Sequence, residues 1–161
     1  NLGFENYLKE ILRVKLIRVA VGDINVIKEM QKNSYSLGGE QSGHIIIGEH
    51  NKTGDGILTA LKILELLKNS QIKTSELFDI YKSFPQEKIN IPLTEKLNKK
   101  LSNDIQNLST NSQKRKAHLR YLVRESGTEP LLRILVEGKD KIEVKKEIND
   151  LSSDVKAILN V

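Results

Sequence analysis

The segment RESGTEPLLR, residues 124–133, carries the residue types that bind phosphate. Arg124 and Arg133 stand at its two ends, and the hydroxyl residues Ser126 and Thr128 lie between them. A guanidinium group presents donors in a planar fork that matches two oxygens of one phosphate. Consecutive backbone N–H groups of a turn can form a concave nest for an anion. The segment therefore predicts an anion-binding loop, and a hairpin turn with surface arginines is the plainer alternative.

Two strand-like runs flank this loop, LRYLV at residues 119–123 and LLRILVE at residues 131–137. Their period-two alternation predicts a β-hairpin in which the two arginines face away from the apolar side. Gly127 is expected to turn the chain at a positive φ, and Pro130 to direct it into the second strand. The elements thus predict that both arginines stand near one end of the hairpin.

A second cluster with chemical potential is GGEQSGH, residues 38–44. Glu40 is an acceptor for sugar hydroxyls, Ser42 can donate or accept, and His44 can do either or titrate. The glycines would let the backbone approach a ligand closely, although a glycine-rich turn with incidental polar residues has the same composition. In the TGDG segment that follows, a helix is expected to start, with Asp55 as its cap or as an acid of its first turn rather than as a catalytic carboxylate.

Composition narrows the classes of function. The 161 residues include no cysteine, and the three histidines (His44, His50 and His118) are scattered, so no metal site is predicted. The net charge of +5 arises from interspersed acids and bases with only 4% aromatic residues, which disfavours nucleic-acid binding. The basic stretch at residues 113–120 is the best candidate for such binding and reads more simply as a solvated loop. With no signal peptide or membrane-spanning run, a cytoplasmic protein is expected.

The first half of the chain alternates strand and helix patterns, which is typical of an α/β layer. Helices are predicted at residues 4–12, 24–33 and 57–67 and after an N-cap at Thr74, and strands at residues 14–21 and 44–50. The helix at 57–67 is apolar most of the way round, so it is expected to be buried.

The second half reads as strand, helix, strand, strand, helix, which predicts an α+β module. The segment SFPQEKINIPL, residues 83–93, contains two prolines, and the expected boundary lies around residues 84–86, giving domains 1–84 and 85–161. Thr94 is expected to cap a helix, residues 109–118 to form a loop, and Asp140 to cap a last helix whose apolar stripe packs on a sheet.

The segments GGEQSGHIII, TGDGILTALKIL, FPQ and RESGTEPLLRILVEG, in this order and spacing, resemble the C-terminal part of the bacterial phosphoglucosamine mutases, a family of the α-D-phosphohexomutase superfamily. The resemblance covers nearly the whole chain. It implies part of the family's α/β third domain, which carries a sugar-recognition loop. A small α+β fourth domain, an antiparallel sheet with helices packed on it, would follow and carry a phosphate-recognition loop.

The resemblance also implies roles for individual residues. Glu40 and Ser42 would contact sugar hydroxyls, and His44 would be a candidate catalytic residue near the reacting end of the substrate. The non-transferred phosphate would be held by Arg124, Ser126, Gly127 and Thr128, with Arg133 as a helper. One segment departs from the family, which usually reads GDRYV where this chain reads GDINV at residues 22–26.

The implied reaction interconverts glucosamine 6-phosphate and glucosamine 1-phosphate through a phosphoserine enzyme and a bisphosphate intermediate, on the route to UDP-N-acetylglucosamine and peptidoglycan. The family enzyme uses Mg²⁺, but the serine loop and the aspartate-rich magnesium loop are absent from these 161 residues. The chain is therefore expected to be a fragment that is inactive alone and needs the missing N-terminal domains as partners, with a phosphosugar as substrate. A non-catalytic phosphosugar-binding module is the alternative.

Overall fold

The computed structural model describes residues 1–160, which divide into two compact units. One unit combines residues 1–14 with the chain from Tyr81 onward, and the other comprises residues 15–80. The helices of the described chain are α1 (Leu2–Glu10), α2 (Asp23–Asn33), α3 (Gly56–Ser70), α4 (Thr74–Leu77), α5 (Lys99–Arg115) and α6 (Lys141–Leu159). Its strands are β1 (Leu37–Gly39), β2 (Ile45–Ile47), β3 (Gln86–Pro92), β4 (Arg120–Glu125) and β5 (Leu131–Glu137).

The unit that contains the chain from Tyr81 onward is built on a three-stranded antiparallel sheet in the order β3-β5-β4. Ile89, Ile134 and Val123 lie in one row across the three strands, so their side chains share a face. Helices α5 and α6 pack on the sheet and bury that aliphatic face. The hairpin and the helix-covered sheet agree with the pattern read from the sequence.

Helix α6 follows directly from its sequence. The Asp140 carboxylate accepts hydrogen bonds from the N–H groups of Ile142 and Glu143, which satisfies two of the unpaired donors at the helix start. Its apolar stripe is buried, as the spacing predicts: Val144, Ile148, Leu151 and Val155. Burial of such side chains contributes about 1.5–3 kcal/mol each, so this helix is a main source of stability in the unit.

A buried carboxylate ties α1 to the same sheet. Glu137 is completely buried, and its Oε1 atom accepts a hydrogen bond of 2.6 Å from the N–H of Leu2. Its Oε2 atom accepts one of 3.0 Å from Arg120 Nη1. The N-terminal end of a helix carries a partial positive charge, so α1 and Arg120 together neutralise the carboxylate.

The unit of residues 15–80 is built on a short hairpin in which β1 pairs antiparallel with β2. Helix α2 lies so close to β1 that a Cβ atom on Gly38 would run into the side chains of Met30 and Val26, which would have to shift to make room for it. Met30 and Ile46 are the buried large apolar residues of this unit within the described chain. Its core is therefore small.

Two predictions for this region are wrong. Residues 14–21 form no strand, because no other strand of the described chain lies beside them to accept and donate ladder hydrogen bonds. Helix α3 is present but contains no buried residue, and Ile57 is 78% exposed. Among the described strands, β2 is the main packing partner of this helix.

Three further local predictions are also wrong. Residues 109–115, expected as loop, belong to α5, because Ser109 and Ser112 turn inward and are buried. Helix α5 is capped by Asn98, whose side chain accepts from the Leu101 N–H, and not by Thr94. Thr74 lies inside α4 rather than capping it. In the first two cases a tertiary contact or a neighbouring residue replaced the local signal, whereas no side chain caps the start of α4.

Candidate functional site

The loop between β4 and β5 has the backbone donors that an anion site needs. The Ser126 N–H donates to the Leu131 carbonyl at 2.8 Å, and the Pro130 carbonyl accepts from the Leu93 N–H at 2.8 Å, which anchors both ends of the loop. Between these anchors, the N–H groups of Gly127 and Thr128 have no acceptor among residues 1–160. Unpaired consecutive amides in a turn are the elements of an anion nest.

A cavity of about 230 Å³ opens at this loop. Its wall includes three of the predicted phosphate-binding residues, Ser126, Gly127 and Thr128. Arg124 and Arg133 are not part of the wall. The remaining lining residues come from the loop and from the segment before α5: Leu93, Glu95, Lys96, Glu125, Glu129, Pro130 and Leu131.

The two predicted arginines are direct partners across the hairpin, since Arg124 on β4 faces Arg133 on β5 in the register. Their Cβ atoms are therefore about 5 Å apart on one face, where like charges repel. Arg124 Nη1 makes one long contact, 3.4 Å to the Glu125 carbonyl. Arg133 Nη2 donates to Glu129 Oε2 at 2.6 Å, whereas Arg133 Nε is buried without an acceptor. An anion bound near the pair would reduce the repulsion.

The prediction that Gly127 turns the chain at a positive φ is wrong. Its φ is not positive, so the backbone does not require glycine. A Cβ atom at this position would meet nothing within 4 Å. The missing side chain instead leaves open space beside an unpaired amide, which is where a ligand would approach.

Three residues of this region carry charge that the sequence did not reveal. Glu95 and Lys96 line the cavity from a segment about 30 residues before the loop, and no spacing rule connects them to it. Glu129 pairs with Arg133 at a separation of four residues, yet the two lie on a turn and a strand rather than on a helix. Only the folded hairpin brings them together.

In the unit of residues 15–80, the loop between β1 and β2 places Glu40, Ser42 and His44 together. Ser42 Oγ donates to Glu40 Oε2 at 3.2 Å, and His44 Nδ1 lies 3.4 Å from the same oxygen. Glu40 Oε1 accepts from the Gly22 N–H at 2.8 Å. This backbone hydrogen bond is the largest of the effects that hold the pKa of Glu40 below its ordinary value, with smaller help from His44 and Ser42.

The GDINV segment contacts the candidate sugar loop through the backbone N–H of Gly22. Gly22 has a φ of 122°, a conformation that favours glycine, and uses its backbone N–H rather than a side chain to hold Glu40. The Asn25 side chain donates to the Val21 carbonyl at 3.0 Å, and Ile24 is 53% exposed. The contact to the candidate sugar loop therefore does not use the two positions that differ from the usual family segment.

A second cavity, of about 320 Å³, lies beside this loop. His44 lines it together with residues at the start of α3, among them Asp55, while Glu40 and Ser42 do not. The Asp55 carboxylate accepts from the Leu58 N–H at 2.9 Å, which confirms its role as a helix cap. His44 is exposed and would meet a ligand in this cavity.

In the basic stretch at residues 113–120, Lys116 and Arg120 are held in ion pairs with other elements, while Lys114 and Arg115 are exposed. Lys116 pairs with Glu143 and Glu147 at 2.8 and 2.9 Å, His118 with Glu143 at 3.0 Å, and Arg120 with Glu137 at 3.0 Å, the residues of each pair coming from different elements. Charges engaged in this way are poorly available to phosphates of a nucleic acid.

Two structural features of the described chain bear on metal binding and membrane insertion. No group of three or more histidine or carboxylate side chains within residues 1–160 is arranged to hold a metal ion. Over the same range, no helix combines the length and apolar composition that a membrane crossing requires.

Comparison with known proteins identifies the class to which this fold and these loops belong. Residues 1–84 match the family model of phosphoglucomutase/phosphomannomutase alpha/beta/alpha domain III, and residues 89–152 match that of the C-terminal domain. The chain therefore belongs to the phosphoglucomutase/phosphomannomutase family. The predicted fold class, an α/β part of domain III followed by an α+β C-terminal domain, is confirmed.

Within that family, the chain resembles the phosphoglucosamine mutases in particular. It is 43% identical over 162 aligned positions to the phosphoglucosamine mutase of Citrifermentans bemidjiense, a match that covers 96% of this chain and 34% of the relative. The chain thus spans about a third of the length of the curated relatives it matches. The predicted resemblance to the C-terminal part of these enzymes is confirmed.

Solved structures agree on the fold. Aspergillus fumigatus N-acetylphosphoglucosamine mutase in complex with GlcNAc-6P and magnesium has a TM-score of 0.65 at 17% identity, over 99% of this chain and 39% of that one. A variant of the same enzyme in complex with glucose 1,6-bisphosphate has a TM-score of 0.69 at 17% identity, over 99% of this chain and 36% of that one. At these identities the likeness concerns the fold alone.

Proposed function

We propose that this chain supplies the sugar-recognition and phosphate-recognition parts of a phosphosugar mutase that interconverts glucosamine 6-phosphate and glucosamine 1-phosphate. The observation that carries the proposal is the anion-binding geometry of the β4–β5 loop. Two unpaired amides and two hydroxyls border one cavity, and two facing arginines stand on the strands that the loop connects. The phosphoglucosamine mutases among the relatives, and the phosphosugars bound by the structural neighbours, support the choice of substrate class.

The proposed role of the loop is to hold the phosphate that is not being transferred. Ser126 and Thr128 would donate hydroxyl hydrogen bonds, the amides of Gly127 and Thr128 would point at phosphate oxygens, and Arg124 and Arg133 would neutralise charge. In the other unit, Glu40 and Ser42 would accept and donate hydrogen bonds to sugar hydroxyls, and His44 would stand near the reacting end. Positioning and electrostatic stabilisation of this kind are the main contributions a protein makes to phosphoryl transfer.

In the proposed cycle, a phosphoserine from another domain transfers its phosphoryl group to the free sugar hydroxyl, breaking the serine O–P bond and forming a sugar O–P bond. The bisphosphate then turns round, and its other phosphoryl group returns to the serine. Because the serine loop and the magnesium loop are absent from these residues, the purified chain is expected to bind phosphosugar without turnover. Measured turnover by the chain alone would contradict this part of the proposal.

The first test is an NMR titration of the ¹⁵N-labelled chain with glucosamine 6-phosphate. Saturable shifts are expected at the amides of residues 126–128. The Arg124→Ala variant should bind about tenfold or more weakly, because a charge-assisted hydrogen bond contributes about 1.5–3 kcal/mol. Arg115→Ala is the matched control, since this exposed arginine ends α5 and lies before the opposite end of β4.

Unchanged affinity in the Arg124→Ala variant, or shifts confined to residues outside both loops, would overturn the proposal. Addition of the complementary N-terminal domains of a phosphoglucosamine mutase then separates the two functions that the sequence left open. Restored turnover supports the mutase, whereas tight binding without turnover supports a non-catalytic phosphosugar-binding module.

A further inference from the structure

Two residues of the segment 124–133, Arg133 and Glu129, form an ion pair with each other. Arg133 Nη2 donates to Glu129 Oε2 at 2.6 Å, and Glu129 also lines the cavity that Ser126, Gly127 and Thr128 border. The side chains are 39% and 55% exposed, so the pair lies at the surface of the site and can open. Arg133, one of the residues predicted to bind phosphate, is therefore already paired with a carboxylate of the same segment.

A carboxylate and a phosphate compete for the same face of a guanidinium group. Both present two oxygens at a spacing that matches the planar N–H fork. Arg133 also keeps a buried Nε without an acceptor, so the Glu129 carboxylate satisfies the arginine only in part. A phosphate that displaced Glu129 could take over the Nη2 donor, while reducing the repulsion from Arg124 across the strands.

We propose that Glu129 is an internal competitor of the phosphate, a residue that sets how tightly the loop binds its anion. This inference rests on the proposed function of the loop. By lowering affinity, Glu129 would speed release of the bound phosphate, which suits a site that two phosphates of one intermediate must occupy in turn. It would also shield the facing arginines from each other's charge while no ligand is bound.

The other two glutamates that line the cavity, Glu95 and Glu125, do not pair with Arg133. Glu125 Oε2 accepts a hydrogen bond of 3.4 Å from the Leu97 N–H and is not paired with an arginine side chain. Glu95 lines the same cavity and makes no ion pair with another described residue. Glu95→Gln therefore removes the same charge from the same cavity without touching Arg133, which makes it a matched control.

The experiment titrates the whole chain with inorganic phosphate, following the amides of residues 126–128 and the Arg133 Nε–H signal. Glu129→Gln is expected to bind phosphate about two- to fivefold more tightly than the unaltered chain, the range of an exposed ion pair. Glu95→Gln should change affinity by much less. The Arg133 Nε–H signal should move on phosphate binding, a response that a merely structural role of Glu129 would not produce.

An equal gain in both glutamine variants would indicate a general charge effect and overturn the inference, leaving the proposed function intact. Weaker binding by Glu129→Gln would mean that Glu129 orders the loop, and would likewise overturn the inference alone. Absence of phosphate binding in all three proteins would overturn both. Amide spectra of the ligand-free variants verify that each is folded before the titrations are compared.

Discussion

At the scale of single residues, Glu40 shows how one side chain can both build a loop and be a candidate ligand group. One carboxylate oxygen holds the Gly22 N–H, and the other receives Ser42 and His44. Contacts to Gly22 and within the loop therefore fix the position of the carboxylate. Preorganisation of this kind lowers the entropy cost of binding.

This arrangement makes the Glu40 contact sensitive to acid. The backbone hydrogen bond from Gly22 is the main reason that the pKa of Glu40 lies below its ordinary value of 4.5. A lowered pKa in the folded state means that the contact stabilises the loop fully above pH 4.5 and is lost as the pH falls through the folded-state pKa. A pH titration of the Gly22 amide shift should therefore show a midpoint below 4.5.

The Glu40→Gln variant is the control for this titration, because it removes the ionising group while keeping an acceptor oxygen. Its Gly22 amide should show no step in the acid range. A midpoint at or above the ordinary value in the unaltered chain would show that the carboxylate does not accept from Gly22 in solution.

At the scale of elements, a polar network fastens α5 and β4 to α6. Tyr121 on β4 donates its hydroxyl to Glu147 Oε2 at 2.7 Å, and Lys116, just after α5, reaches both Glu143 and Glu147 on α6. Burial, reinforced by the contact with Glu147, raises the pKa of Tyr121. Burial opposes the charge on Glu147, but hydrogen bonds from Tyr121 and Lys116 outweigh it and lower the pKa of that carboxyl.

The Tyr121→Phe variant tests how much this network stabilises the fold. Removing the hydroxyl leaves a buried carboxylate oxygen without its donor, which is expected to lower the free energy of unfolding by about 1.5–3 kcal/mol. Urea denaturation followed by tyrosine fluorescence and circular dichroism would measure the change. Tyr81→Phe is the matched control, because Tyr81 packs on Phe4 and Tyr7 through its ring. Equal effects of the two variants would contradict a specific role for the Tyr121 hydroxyl.

At the scale of the whole molecule, the buried apolar side chains are unevenly divided. Twelve of them form one cluster in the unit that contains the three-stranded sheet, while Met30 and Ile46 are the ones described in residues 15–80. Apolar burial is the dominant stabilising contribution in folding. The two units should therefore differ in local stability.

Native-state hydrogen exchange would measure that difference. Amides of β5 and α6 are expected to exchange orders of magnitude more slowly than those of α3, whose apolar side chains are largely exposed. Residues 15–21, which form no ladder hydrogen bonds, should exchange fastest of the four segments. Comparable protection in α3 and α6 would contradict the assignment of stability to the larger core.

Much of the fold could be read from local patterns. The stripe and cap of α6, the β4–β5 hairpin and the Asp55 cap each depend on residues within a few positions of one another, so short-range geometry was enough to predict them. The order of the four motif segments predicted the family. The domain boundary and the roles of Glu40, Ser42, His44 and the phosphate-loop residues stay predictions.

Tertiary structure decided what depends on distant partners. A strand forms only when another strand supplies its hydrogen bonds. Residues 14–21 are rich in β-branched side chains, but their structure could not be assigned from that composition alone. Three other features also depend on residues that are distant in sequence. They are the burial of Ser109 and Ser112, the hydrogen bond from Gly22 to Glu40, and the cavity that Lys96 lines together with the phosphate loop. Side-chain chemistry was therefore visible in the sequence, whereas its pairing, and above all the hold of Glu129 on Arg133, required the three-dimensional arrangement.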